Sequence, residues 1–150
     1  MPLLVAALFA AFATTAFAAW AGGRLGQPMP SNARALFCGI ALVFAGGEML
    51  FLRIRKAPAE PTRSVFAALL VMAALQITDA ARFLVLALAA WTAAPISVAL
   101  GGAAAAGGAL VTVWLWPELL DHRAVSAVRR VAGAGLLMLG LAIAVPHLIG

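Results

Sequence analysis

Apolar residues occupy this chain in five long runs, which short polar segments separate. The runs extend from Pro2 to about Ala21, Ala35 to Leu52, Val65 to Trp91, about Pro95 to Trp116, and Val131 to Ile149. A transmembrane helix needs about 20 predominantly apolar residues. The pattern therefore predicts an all-α polytopic membrane helix bundle of about five transmembrane helices.

The composition narrows the class of protein further. Of the 150 residues, 65% are hydrophobic and only 10% are charged, with a mean hydropathy of +1.09. Soluble domains average about 45–50% apolar and about 25% charged residues. We therefore expect a single integral membrane domain over residues 1–150, in contact with the lipid bilayer. Cys38 is the only cysteine, which excludes disulfide scaffolds and cysteine-based metal sites.

The first run has two interpretations. Its small-residue stretch ending at Ala19 resembles the cleavage region of a secretory signal. A signal normally begins with positive charge, and no Lys or Arg precedes this run. We therefore expect it to remain as a membrane helix, while Met1 as the true start stays an open point.

The basic residues predict an orientation. Seven of them fall on the side of the N-terminus: Arg53, Arg55, Lys56, Arg63, Arg123, Arg129 and Arg130. Only Arg24 and Arg34 fall in the loops of the other side. The positive-inside rule then predicts a multi-pass inner-membrane protein with a cytoplasmic N-terminus and a periplasmic C-terminus. The net charge is +5, but the basic residues lie in short loops, where they set the membrane orientation. No nucleic acid partner is therefore expected.

Two parts of the sequence match at a shift of 94 residues. The matched pairs are Trp20 with Trp114, Leu25 with Leu119, Leu42 with Leu136, and Gly46 with Gly140. The odd run between them makes the two parts cross the membrane in opposite directions, as in inverted-repeat transporters. The sequence predicts a partial first repeat (1–52), a cytoplasmic linker (53–63) and a second repeat (64–150). This is an inverted three-plus-three arrangement lacking its first helix.

A polar cluster interrupts the third run, which we predict as one helix. It consists of Gln76, Thr78, Asp79 and, one turn on, Arg82. An acid at the centre of a membrane helix costs about 2.5–3.5 kcal/mol, so it marks a functional site by default. One interpretation is that Arg82 is the charge partner of Asp79 on one helix face. The other is an ion pathway, in which Asp79 is the metal ligand and Gln76 and Thr78 add oxygens.

Glu48 is a candidate second carboxylate near the cytoplasmic end of the second run. It either faces the lipid headgroups or serves as a second ligand or gate.

The sequence contains no nucleophile–base arrangement, phosphate-binding loop or zinc-helix motif. We therefore expect neither an enzyme nor a bound cofactor. The candidate transported ions are Ca²⁺ and Mn²⁺, because hard cations prefer oxygen ligands.

The segment from Arg63 onward resembles the Gdt-type cation–proton exchangers, also called the transmembrane protein 165 family. It has an apolar lead from Phe66 to Leu75, an acidic motif, and the sequence Leu86-Ala-Leu-Ala-Ala90. The family motif is Glu-x-Gly-Asp-Lys-Ser/Thr. Here Gln76 stands for Glu, Thr78 for Gly, and Ala80 and Ala81 for the last two residues, while Asp79 is retained.

The resemblance implies exchange of Ca²⁺ or Mn²⁺ for protons, with activity impaired by the altered motif. It also implies a homodimer, or a partner subunit that supplies a second motif helix. Two alternatives remain. One is a non-transporting membrane interaction or structural protein, and the other is a small exporter of organic solutes.

Overall fold

The computed structural model describes residues 2–51, 79–118 and 123–149. These form five α-helices: α1 (Pro2–Gly26), α2 (Ser31–Phe51), α3 (Ala80–Thr92), α4 (Pro95–Leu115) and α5 (Arg123–Ile149). The predicted all-α class is confirmed, because these residues contain no strand. By length and composition α1, α2, α4 and α5 can each cross a membrane, as a multi-pass membrane protein requires, whereas α3 is a shorter apolar helix.

Several predicted helix ends are wrong. Helix α1 continues five residues past Ala21, α2 begins before Ala35, and α5 begins eight residues before Val131. The predicted ends followed the apolar residues only. Helical hydrogen bonding continues through polar residues, since long basic side chains can extend toward the headgroups. As a result Arg129 and Arg130 lie on α5 and not in a loop.

The prediction of one continuous helix through the third run is also wrong. Asp79 has extended backbone angles (φ −77°, ψ 139°) and precedes the first residue of α3. Its carbonyl oxygen accepts hydrogen bonds from the amides of Arg82 and Phe83 at 3.0 and 3.2 Å. Aspartate is among the residues preferred immediately before a helix. Residues 65–78 of this run lie outside the described residues.

Helix α2 packs most extensively against α5, in antiparallel fashion. A Cβ atom on Gly46 would lie 2.6 Å from the carbonyl oxygen of Gly133, and one on Gly140 would lie 2.7 Å from that of Gly39. Small residues allow helix backbones to approach closely in lipid. The four glycines therefore set the distance between α2 and α5.

The same glycines bear on the predicted repeat. A shift of 94 residues relates Gly39 to Gly133 and Gly46 to Gly140, and all four lie in one interface. Helix α1 likewise packs against its predicted counterpart α4. These contacts agree with an inverted arrangement of the two helix pairs. The division into repeats stays a prediction, and the 53–63 linker lies outside the described residues.

Helix α3 runs parallel to α1, which fixes the depth of its first residue. Gly22 contacts the backbone of Leu86, and a Cβ on Gly26 would lie 2.5 Å from the carbonyl oxygen of Ala90. Asp79 precedes Leu86 by seven residues, as Thr15 precedes Gly22. Asp79 therefore lies level with the middle of α1, far from either end of that helix.

Candidate functional site

Asp79 is half-buried and lies at the start of α3. The first amides of a helix carry a partial positive charge, which favours an anionic side chain there. The Asp79 side chain nevertheless makes no capping hydrogen bond with α3. The backbone therefore holds Asp79 level with the middle of α1, and its carboxylate does not cap α3.

The first of two cavities beside Asp79 lies between α2, α3 and α5 and has a volume of about 250 Å³. We call it the α2–α5 cavity. Its lining includes Glu48, Asp79 and Arg129. A nitrogen of the Arg129 guanidinium (Nη2) donates to the backbone carbonyl of Glu48 at 3.3 Å. The two acidic residues that the sequence singled out, Glu48 and Asp79, therefore line the same cavity.

The second cavity lies between α1, α3 and α4 and has a volume of about 480 Å³. We call it the α1–α4 cavity. Among its described lining residues Asp79 and Arg82 are charged, and the others are apolar or small, such as Gly102 and Leu110. Asp79 lines both cavities. Asp79 therefore lies between the two cavities, which are on different sides of α3.

Arg82 is buried, with 8% of its surface exposed. Its Nε donates to Oγ1 of Thr14 on α1 at 3.0 Å, and that hydroxyl donates to the carbonyl oxygen of Ala10 at 2.7 Å. Asp79 attracts the guanidinium electrostatically. Because Asp79 precedes α3, however, the two residues do not share a helix face as the sequence predicted.

Two residues of the site were missed by the sequence reasoning. Thr14 contacts Arg82 across 68 positions of sequence. Thr14 and Thr15 are the only polar residues between Pro2 and Trp20, which was an available signal. The sequence reasoning used Arg129 only to predict the membrane orientation. Its position beside Glu48 depends on α5 beginning at Arg123, before the apolar run.

The described residues do not form a complete divalent-cation site. No group of three or more His, Cys, Asp or Glu side chains occurs within 2–51, 79–118 and 123–149. Ca²⁺ takes about six to eight oxygen ligands. Asp79 and Glu48 supply two carboxylates, and Arg82 and Arg129 offset their charge. Gln76 and Thr78, the other predicted ligands, lie outside the described residues.

Comparisons with protein-family models, with curated proteins and with solved structures give no significant match to this chain. The resemblance to the Gdt-type exchangers therefore rests only on the sequence features given above. Any functional assignment has to be argued from the geometry of this chain.

Replacing Thr14 with valine should destabilise the fold by about 1–2 kcal/mol. Valine has nearly the same shape as threonine but removes the oxygen that accepts the Arg82 Nε–H bond. The matched control is Thr15→Val in the next position, because the described hydroxyl bond of Thr15 stays within α1, to the carbonyl of Ala11. Thermal unfolding in detergent should show the larger loss for Thr14→Val. An equal loss in both variants would argue against the interhelical role of Thr14.

Proposed function

We propose that the protein is a small membrane transporter in which the carboxylate of Asp79 binds a cation between two cavities. The observation that carries this proposal is that Asp79 lines both the α2–α5 and the α1–α4 cavity. Helices that begin or end near the middle of the membrane are typical of transporter binding sites. Non-helical backbone is tolerated at that depth where it lines a cavity.

The balance of charges supports exchange over simple cation binding. Two carboxylates, Asp79 and Glu48, lie beside two guanidinium groups, Arg82 and Arg129. A cation that enters this neutral cluster adds uncompensated positive charge, which is costly away from water. Release of a proton from a carboxylate, or movement of an arginine away from it, offsets that charge. A carboxylate that alternately holds a proton and a cation couples the two flows.

The proposed substrates are Ca²⁺ or Mn²⁺, exchanged for protons, as the family resemblance implies. The two described carboxylates are fewer oxygens than such an ion requires. Water, the predicted ligands Gln76 and Thr78, or a second chain would complete the shell. In the proposed orientation, with a cytoplasmic N-terminus in the inner membrane, Glu48 lies on the cytoplasmic side of Asp79.

Transport by the purified protein tests this proposal directly. Liposomes containing the protein should take up Mn²⁺ or Ca²⁺ when an outward proton gradient is imposed, and protein-free liposomes should not. A pH-sensitive dye should report proton movement in the opposite direction at the same time. Absence of ion uptake above the protein-free level, with correctly inserted protein, would overturn the proposal.

A non-transporting interaction protein is the second candidate, and one observation favours it. Gly101 and Gly108 on α4 and Gly135 on α5 face open space, with no described atom within 4 Å of a Cβ placed there. Small residues exposed on a helix suit packing against another membrane helix. Thermal melts in detergent separate the two candidates, because an ion that binds the folded state raises the melting temperature. A rise with Mn²⁺ or Ca²⁺ supports the transporter, and no rise supports the interaction protein.

A further inference from the structure

A third cavity lies at the opposite end of the bundle from Glu48, where α1 ends and α2 and α4 begin. Its volume is about 470 Å³, which is within the range of small-molecule sites, about 300–1,000 Å³. Its lining includes Trp20, Arg24, Gln27, Arg34 and Pro95. We call it the Arg24–Arg34 cavity. It shares no described lining residue with the two cavities beside Asp79.

Each of the two arginines of this cavity has a contact with a neighbouring residue. The Arg34 Nε donates to the carbonyl oxygen of Met29, in the α1–α2 turn, at 2.8 Å. The Arg24 guanidinium lies 6.0 Å from the centre of the Trp20 ring, which is within cation–π range. Neither arginine forms an ion pair within the described part of the chain. No acidic residue occurs in the described lining of the cavity.

The start of α4 adds positive potential to the same space. Pro95 is the first residue of α4 and lines the cavity. The N-terminal end of a helix carries a partial positive charge and unpaired amides that favour anions. The wall is also tightly packed, since a Cβ on Gly23 would lie 3.1 Å from the Pro95 ring. The described lining therefore contains two guanidinium groups, a carboxamide and a helix start, and no acidic residue.

We propose that the Arg24–Arg34 cavity binds a phosphate-bearing anion. Guanidinium groups bind phosphate oxygens through paired, charge-assisted hydrogen bonds. Only these two arginines are predicted on this side of the membrane, and the fold places both in one cavity. The phosphate belongs either to the headgroup of an anionic phospholipid or to a soluble compound. The site is independent of the transport proposed for Asp79.

The test uses the full chain, with the double variant Arg24→Gln/Arg34→Gln. Binding of phosphatidylglycerol is measured by native mass spectrometry of protein released from nanodiscs, with phosphatidylcholine as the neutral lipid. Binding of inorganic phosphate and glycerol phosphate is measured from the shift of the melting temperature. We expect the affinity of the double variant for the phosphate-bearing ligand to be lower than that of the wild type by a factor of about ten or more, because two charge-assisted contacts are lost.

Arg130→Gln is the matched control, because Arg130 is an exposed arginine on α5 outside this cavity. It should bind as the wild type does. Preference for phosphatidylglycerol that the double variant loses identifies a lipid site, and loss of only the soluble-phosphate response identifies a soluble ligand. Arg34→Lys keeps the positive charge and should retain part of the affinity. It is the control for loss of binding through misfolding. Equal binding of every ligand by wild type and double variant would overturn the proposal.

Discussion

Asp79→Asn is expected to reduce proton-coupled uptake of Mn²⁺ or Ca²⁺ to the level of protein-free liposomes. Asparagine preserves the size of the side chain and removes the negative charge from a position that lines both cavities. A neutral amide can neither release a proton nor offset a cation in a medium of low dielectric constant. Uptake of the ion and movement of protons should therefore disappear together, measured in liposomes containing equal amounts of inserted protein.

Two further variants isolate the charge at Asp79. Glu118→Gln removes an exposed carboxylate that lines neither cavity, and it should leave uptake unchanged. Asp79→Glu restores the charge and should recover part of the uptake. Glu48→Gln should give an intermediate loss, since Glu48 lines only the α2–α5 cavity of the two. Wild-type uptake by a folded Asp79→Asn protein would show that this carboxylate does not carry the ion.

The melting temperature distinguishes loss of transport from loss of fold in these experiments. Asp79 attracts the buried Arg82 guanidinium, so its removal also weakens an electrostatic contribution to stability. Arg82 retains its hydrogen bond to Thr14 in that variant. We therefore expect Asp79→Asn to fold, with a melting temperature below that of the wild type. The transport result is interpreted only for protein that elutes as the wild type does in size-exclusion chromatography.

The helical class followed from the sequence because long apolar runs are a strong and local signal. The ends of the helices did not follow, since Arg24 and Arg129 continue helices beyond the apolar residues. The start of α3 at Ala80 was missed for a related reason. An apolar run does not show at which residue a helix begins, and here the backbone angles of a single aspartate mark that start.

The candidate site was predictable only in part. Asp79 stood out because a charge within an apolar run is visible in the sequence itself. The hydrogen bond from Arg82 to Thr14 and the shared cavity of Glu48 and Arg129 depend on which helices become neighbours. That choice is made by close backbone packing at small residues. Glycine is common in this chain, and nothing local distinguishes an interfacial glycine from an open one.

Gly46 provides the sharpest test of that packing. Gly46→Leu should lower the free energy of unfolding by about 3 kcal/mol or more. A Cβ at this position would lie 2.6 Å from both the carbonyl oxygen of Gly133 and the amide nitrogen of Leu137, and neither backbone atom can rotate away. Helices α2 and α5 would have to separate. Titrating the protein in mild detergent with a denaturing detergent measures this loss of unfolding free energy.

The adjacent Gly47→Leu is the matched control, because a Cβ on Gly47 has no described atom within 4 Å. Leucine favours the helix over glycine by about 1 kcal/mol, so this variant should be neutral or stabilised. Gly46 is also two residues from Glu48, which lines the α2–α5 cavity. Separation of α2 and α5 should therefore lower ion uptake in Gly46→Leu but not in Gly47→Leu. Similar stability of the two variants would mean that these helices do not pack through Gly46.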